Sequence, residues 1–221
     1  EFDGSLFAQR GDHVGRQITI ACLPTAAFYF LPSVMARFHE AHPNVRFRIL
    51  DIPATEGLQA VERGEVEFGI NFMGANDPNL DFDVLAEDPF VLACRRDHPL
   101  ARKRKVEWAD LAEHQLITVH RTSGNRTLLD GALARENLKL SWHYEVTHLS
   151  TSLGMVEAGI GVSVLPKMAT PDGDHPTLVT RAIGNPVVSR TIGIVRRRGA
   201  LLSPTAERFL QMLMSQWRGE A

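Results

Sequence analysis

Cysteine is scarce in this sequence: only Cys22 and Cys94 occur among 221 residues, and each lies within an apolar run. Two cysteines cannot form the disulfide framework of a small secreted scaffold, and buried thiols are typical of proteins in a reducing compartment. We therefore expect two buried, reduced cysteines and a cytoplasmic location. A redox pair is the minor alternative.

Long apolar runs and an excess of charge of one sign are also missing. No segment approaches the roughly 18 apolar residues that a transmembrane helix needs, and the N-terminal stretch lacks the apolar region of a secretory signal. The formal net charge of −2 gives no indication of binding to nucleic acid or to a membrane surface. We expect no membrane partner. The sequence does not begin with Met, so we expect it to be part of a longer protein.

Motifs for metal, nucleotide and nucleophilic chemistry are incomplete. His39 and His42 do not match H-E-x-x-H and have no Cys or carboxylate cluster beside them. Gly159 and Gly161 follow a predicted helix and open a strand, the reverse of the dinucleotide-binding order, so we interpret them as a helix end and a tight turn. Ser163 lies within a strand and lacks the second glycine of a nucleophile elbow. The sequence therefore predicts no metal, no cofactor and no catalytic residue.

Hydrophobic content of 44% and charged content of 23% are typical of a globular protein. In the first half, a helix with Pro32 near its first turn connects two strands, and a second helix at 55–63 ends at Gly64, a left-handed cap. The strands are predicted at 18–22, 45–49 and 66–72. This βαβαβ order predicts a mainly parallel sheet with helices on its faces.

Strands and helices alternate again in the second half, where a helix is predicted at 127–137. The basic segment 95–105 has no interleaved aromatic residues, so a solvated loop is favoured over contact with nucleic acid. The last helix has Ser203 as its N-cap. Strands are predicted at 90–94, 115–119, 142–146 and 161–165. Two α/β units without a flexible linker predict a cleft protein with a hinge.

Hydroxyl, amide and imidazole side chains recur where predicted strands end and helices begin. Ligands of open α/β sheets bind beyond the carboxyl ends of the strands, where helix N-termini offer free N–H groups that suit a carboxylate. For any single residue, a helix N-cap is the favoured interpretation. Their recurrence in both units predicts a small-molecule site lined by Pro24, Thr25, Ala26, Thr55, Asn71, His120, Thr122, Ser123, Asn125, His148, Ser150 and Thr151.

Four motifs resemble the effector-binding domain of LysR-type transcriptional regulators, over about Gly15 to Trp217. They are "RQITIACLPTAAFYFLPSVMARFHEAHPNVRFRI", "VERGEVEFGI" with Glu67 where Asp is commoner, "VLACRRDHPLA" and "LGMVEAGIGVSVLP". The resemblance implies a periplasmic-binding-protein-like α/β fold, in which two Rossmann-like subdomains are joined by two crossing strands. Subdomain I would be residues 16–90 plus 193–221, subdomain II residues 91–192, and residues 1–15 the remnant of an interdomain linker.

The resemblance also implies a winged helix-turn-helix DNA-binding domain upstream, absent from this chain, and a homodimer that becomes a tetramer at full length. The leading hypothesis is therefore a sensor that binds a small effector, an organic acid, in the cleft between subdomains and controls DNA binding without catalysis. A solute-binding receptor of a transporter is the main alternative. An enzyme on the same fold is a weaker one, because the site offers mainly hydroxyls with His120 and His148.

Overall fold

The structure is a computed structural model that describes residues 17–72 and 77–218. The described chain forms two compact units: unit 1 consists of its residues up to Ala86 and from Thr191 onward, and unit 2 is Glu87–Arg190. Both boundaries fall within strands, Leu80–Arg95 and Ser189–Arg197. The sequence placed these boundaries after residues 90 and 192, and its linker, residues 1–15, lies outside the described residues.

Unit 1 has a parallel three-stranded centre. Its elements are β1 (Gln17–Cys22), α1 (Pro24–Ala41), β2 (Arg46–Asp51), α2 (Ala54–Glu62), β3 (Phe68–Phe72), the first part of β4 (Leu80–Arg95), most of β10 (Ser189–Arg197) and α5 (Pro204–Arg218). β2 and β3 flank β1 and run parallel to it, and β10 pairs antiparallel with β3. The carboxyl ends of β1, β2 and β3 therefore lie along one edge of the sheet, which we call the unit 1 edge.

An aromatic cluster joins α1 and α5 over this sheet. The Phe38 ring meets Phe47 at 5.9 Å and Phe209 at 5.3 Å between centroids, in edge-to-face geometry. Phe38 is buried and belongs to the core of unit 1. Helix α5 begins as predicted, because the Ser203 hydroxyl accepts a hydrogen bond from the backbone N–H of Ala206 at 3.2 Å.

Helix α1 begins at Pro24, so the prediction that placed Pro32 near the first turn was wrong. Pro32 lies inside the helix, where it cannot donate to the carbonyl of Phe28. Phe28 and Pro32 are both exposed, so water can satisfy that carbonyl. The buried face formed by Phe30, Val34 and their neighbours keeps the helix continuous across the proline.

Unit 2 combines a parallel and an antiparallel half. Its elements are the second part of β4, β5 (Lys105–Glu107), β6 (Leu116–Val119), α3 (Gly124–Arg135), β7 (Tyr144–Val146), α4 (Leu149–Glu157), β8 (Val162–Pro166) and β9 (Leu178–Gly184). β7 and β8 flank β6 in parallel, β4 pairs antiparallel with β8 and β9, and β5 runs parallel to β9. The carboxyl ends of β6, β7 and β8 share one edge, which we call the unit 2 edge.

Three sequence predictions for this region need correction. Strand β4 has 16 residues and begins ten residues earlier than predicted. Its first part carries Asp81 and Asp83, which pair with Arg198 and Arg196 in and just after β10, and these charged residues obscure the strand pattern in the sequence. The basic segment is not one loop: Pro99–Arg102 forms a 3-10 turn and β5 begins at Lys105. Helix α3 starts at Gly124, three residues before the predicted start.

Cys22 and Cys94 are both buried, as predicted. Burial raises the pKa of the Cys94 thiol, which keeps it protonated and unreactive at neutral pH. None of the helices in the described part of the chain is both long and apolar enough to cross a membrane.

Candidate functional site

The unit 1 edge brings together the predicted residues of the first half. Pro24, Thr25 and Ala26 form the first turn of α1 directly after β1, and Thr55 lies in the first turn of α2 directly after β2. The N-caps of these helices, Leu23 and Pro53, make no side-chain cap hydrogen bond. Two helix N-termini with partial positive charge therefore meet the edge without a cap from their N-cap side chains.

Asn71, at the end of β3, has a structural role at this edge. Its side chain is buried, its Nδ2 donates to the carbonyl of Ala54 at 2.9 Å, and its Oδ1 accepts from the N–H of Phe72 at 2.9 Å. The amide therefore ties the start of α2 to the end of β3. This contact positions a helix N-terminus, whereas the sequence predicted a ligand contact.

The unit 2 edge has the same construction. Helix α3 begins after β6 and α4 begins after β7, and their N-caps are Ser123 and His148. Neither N-cap side chain makes a cap hydrogen bond. The favoured single-residue interpretation of Ser123, a side-chain N-cap, is therefore wrong, and both helix N-termini keep their N–H groups uncapped by these side chains.

His120 leads from β6 into α3 with a fixed ring orientation. Its Nδ1 accepts from the backbone N–H of Thr122 at 3.2 Å and lies 2.7 Å from the Thr122 hydroxyl. Because Nδ1 is an acceptor, Nε2 carries the proton of the neutral ring, and it lies 3.6 Å from Oε1 of Glu145. The imidazole therefore presents a donor to a carboxylate of the protein. Glu145, on β7, is a site residue that the sequence analysis missed.

Arg126 is a second residue that sequence reasoning missed. It is buried in the first turn of α3, where its Nε donates to Asp130 at 2.7 Å and its Nη1 to the carbonyl of Val119 at 3.1 Å. The guanidinium also lies 5.9 Å from the ring centroid of Trp142. The Arg126–Asp130 spacing of four residues in a predicted helix was the available signal.

Asn125 belongs to a buried charge network. Its Oδ1 accepts from Nη1 of Arg190 at 2.9 Å, and Nε of Arg190 donates to Oδ2 of Asp88 at 2.8 Å. Both charged side chains are 1% exposed. The other Asp88 oxygen accepts from the N–H of Met168 at 3.0 Å. The signal in the sequence was one charge of each sign inside an apolar strand, since charges in such positions are usually paired.

The start of α4 presents its hydroxyls to solvent. Ser150 and Thr151 are exposed, and the N–H of Thr151 donates to the carbonyl of His148 at 3.1 Å. Ser152 is buried instead, and its hydroxyl donates to the carbonyl of Leu149 at 2.7 Å. The two predicted hydroxyls are therefore available at the unit 2 edge.

Gly159 and Gly161, which follow α4, are glycines for two different structural reasons. Gly159 has φ of +79°, the left-handed conformation expected at a helix end. Gly161 does not have a positive φ; a Cβ there would collide with the carbonyl of Gln115, which accepts from the N–H of Val162 at 2.9 Å. The tight-turn interpretation of Gly161 is therefore wrong, and close approach of β6 and β8 explains it.

A surface cavity of about 520 Å³ lies at the opposite, amino-terminal end of β6 and β8. Its lining includes His98 and His114, whose ring centroids are 4.8 Å apart. Burial, and then the neighbouring His114, lower the pKa of His98. The N–H of Leu100 donates to Nδ1 of His98 at 3.1 Å, so this histidine caps the 3-10 turn. The cavity contains none of the predicted site residues.

Among residues 17–72 and 77–218, no group of three or more His, Cys, Asp or Glu side chains could hold a metal ion.

The LysR substrate binding domain model matches residues 11–218 of this chain. The chain belongs to the LysR substrate-binding domain family. It is 46% identical over 219 residues to the HTH-type transcriptional regulator YbhD of Escherichia coli, an alignment that covers 98% of this chain and 69% of YbhD. The suspected LysR resemblance is therefore confirmed.

Two solved structures share the fold of this chain. The effector-binding domain of QuiR in complex with shikimate has a TM-score of 0.78 and 20% identity, covering 92% of this chain and 97% of QuiR's. The effector-binding domain of BenM with its effector benzoate has a TM-score of 0.79 and 22% identity, covering 92% of this chain and 93% of BenM's. The predicted α/β, periplasmic-binding-protein-like fold is confirmed.

Proposed function

We propose that this chain is the ligand-sensing domain of a LysR-type transcriptional regulator and that it binds a small organic acid. One observation carries the proposal. Helices α1, α2, α3 and α4 each begin at the carboxyl end of a parallel strand, and none of their N-cap side chains makes a cap hydrogen bond. Uncapped N–H groups and the positive helix ends favour an anionic group.

The charges at the unit 2 edge support a small anion with few negative charges. The two buried arginines near this edge each face a carboxylate of the protein: Arg126 faces Asp130 at 2.7 Å, and Arg190 faces Asp88 at 2.8 Å. Glu145 adds a further negative charge beside His120. The buried arginines are therefore paired within the protein, and helix ends, amide and hydroxyl groups remain to attract one carboxylate.

The ligands of two structural neighbours agree with this chemistry. Shikimate and benzoate, bound by QuiR and BenM, each carry one carboxylate. In this chain, we expect the carboxylate to be held by the N-terminus of α4 with Ser150 and Thr151, and by the N-terminus of α3 with Asn125. His148, Thr122 and Ser123 would contact the remainder of the ligand.

Regulation would follow from coupling between ligand and DNA. Ligand binding would shift the chain between two states, and a tenfold preference for one state corresponds to about 1.4 kcal/mol, the net contribution of one or two hydrogen bonds. A homodimer of this domain, which associates to a tetramer at full length, would transmit the shift to DNA-binding domains that precede it. The similarity to the regulator YbhD favours this role over a transport receptor or an enzyme.

Titration calorimetry tests the proposal with carboxylic acids and their primary amides, beginning with benzoate and benzamide and with shikimate. We expect at least one acid to bind and its amide to bind about tenfold more weakly, the loss of one charge-assisted interaction. Binding restricted to neutral or cationic compounds would overturn the choice of ligand class.

Two substitutions locate the site. Ser150→Ala combined with Thr151→Val removes both exposed hydroxyls at the start of α4, and we expect it to weaken acid binding about tenfold. Ser215→Ala, an exposed serine on α5, is the matched control and should bind the acid as the unmodified chain does. Equal affinity in all three proteins would move the site away from α4.

A further inference from the structure

The Asp88–Arg190 pair is connected to one predicted ligand contact. Arg190 uses Nε for Asp88 and Nη1 for Oδ1 of Asn125, at 2.8 and 2.9 Å. A guanidinium has donors and no acceptor, so only the oxygen of the Asn125 amide can face it. The contact therefore fixes which end of the amide points inward.

Asp88 in turn fixes Arg190. It holds the guanidinium with one oxygen and the N–H of Met168 with the other, and both charged side chains are 1% exposed. A buried carboxylate with two donors in place has little freedom to rotate. Asp88 therefore holds Arg190 in place, and Arg190 in turn fixes the orientation of the Asn125 amide.

The outward end of this amide is its nitrogen. Asn125 is half-buried in the first turn of α3, and among the described residues no protein acceptor takes its Nδ2. An asparagine without such a neighbour can present either its oxygen or its nitrogen to a ligand. In this chain, only the NH₂ group of Asn125 remains available to contact a ligand.

We infer that Arg190, held by Asp88, is a positioning residue that turns the amide nitrogen of Asn125 toward the ligand and so selects a hydrogen-bond acceptor, such as a carboxylate oxygen, at that point. The inference rests on the proposed function and adds the origin of selectivity.

Selectivity between an acid and its amide is the readout, because loss of stability alone would not change it. Asn125→Ala removes the donor, and we expect benzoate, or the best-binding acid of the panel, to lose about tenfold in affinity while the matching amide changes little. Asn125→Asp keeps an oxygen on Arg190 but presents a second oxygen outward, so acid binding should fall further than in Asn125→Ala. Unchanged selectivity in both variants would overturn the inference.

The role of Arg190 needs a variant that folds. Asp88→Leu with Arg190→Met removes both charges together, which buried ion pairs often tolerate, whereas either change alone leaves an unpaired charge. We expect the double variant to bind acids but to lose most of the acid-over-amide selectivity, because the Asn125 amide is then free to turn. Full selectivity in this variant would contradict the positioning role.

A measurement without any ligand separates this inference from the proposed function. In nitrogen-15 NMR spectra of the free chain, the side-chain NH₂ signal of Asn125, assigned by its loss in Asn125→Asp, should exchange rapidly with water. Slow exchange would mean that the nitrogen faces the interior, and the inference would fail whichever acid binds. Absence of acid binding with rapid exchange would instead refute the proposed function and leave the amide orientation established.

Discussion

Asp88 and Arg190 carry opposite charges into a part of unit 2 that water does not reach. The same two strands carry a second pair, Asp83 and Arg196 in unit 1, at a similar distance of 2.9 Å but with side chains 41% and 36% exposed. The loss of hydration on burial determines how much stability is lost when one partner of such a pair is mutated. Two pairs on one pair of strands therefore allow a controlled comparison.

We expect Asp88→Asn to lower the free energy of unfolding by about 3–5 kcal/mol, because it leaves the Arg190 charge buried without its counter-ion. Asp83→Asn is the matched control and should cost less than about 1 kcal/mol, since water solvates Arg196. Urea denaturation of the three proteins measures both values. Similar costs for the two variants would contradict the role assigned to burial.

The pKa of His98 predicts a pH dependence of stability. Burial and the facing His114 lower it in the folded chain, with a smaller opposing effect of Asp97, so the unfolded chain binds more protons below about pH 6.5. This group therefore contributes a loss of stability as the pH falls through that range. His98→Asn keeps a side-chain acceptor for the N–H of Leu100 but cannot titrate.

Denaturation curves between about pH 8 and about pH 5 measure this contribution. We expect the stability of His98→Asn to fall less on acidification than that of the unmodified chain. His98→Ala, which lacks the acceptor, should be less stable across the whole range. An identical pH profile for the unmodified chain and His98→Asn would show that His98 titrates normally.

At the scale of elements, one glycine near α4 is required by its backbone conformation and another is not. Gly159 has φ of +79°, whereas Gly154 lies inside α4 and a Cβ there would meet nothing within 4 Å. We expect Gly159→Ala to destabilise the chain by about 1–2 kcal/mol and Gly154→Ala to stabilise it by about 0.4–1 kcal/mol. Thermal unfolding monitored by circular dichroism gives the sign of each effect. A shift in the same direction for both variants would contradict this account of the helix end.

Elements were predictable where a single local pattern decides them. Strands β1 to β3 and the cap of α5 follow from alternation and from Ser203, which are local signals. The first part of β4 was not predictable because its acidic residues are paired with β10, a contact far away in the sequence. Pro32 misplaced the start of α1 for a similar reason: tertiary packing of the buried face overrides the proline's local preference.

The positions of the candidate site residues were predictable from the sequence, but the roles of their side chains were not. Strand ends and helix starts locate Asn71, Asn125 and the hydroxyls of α4, because topology places them at the sheet edges. Sequence alone does not reveal that Asn71 holds α2 through Ala54 or that Asn125 faces Arg190, 65 residues away. Contacts between residues that are distant in the sequence set these roles, and a single sequence has no local signal for them.

At the scale of the whole molecule, the proposed sensor would act on transcription by changing its assembly when the ligand binds. We expect sedimentation velocity of this chain to show a dimer, and of the longer protein a tetramer, with the distribution or shape changed by the acid that binds. A chain that stays monomeric at high micromolar concentration, with or without the acid, would contradict the proposed dimer.

The claim that this chain senses an organic acid is tested most directly by titration calorimetry against carboxylic acids paired with their amides. We expect saturable one-site binding of at least one acid, with its amide bound about tenfold more weakly and with the acid itself bound about tenfold more weakly by the Ser150→Ala, Thr151→Val variant. Binding of amides or amines in preference to acids, or of no member of the panel, would contradict it.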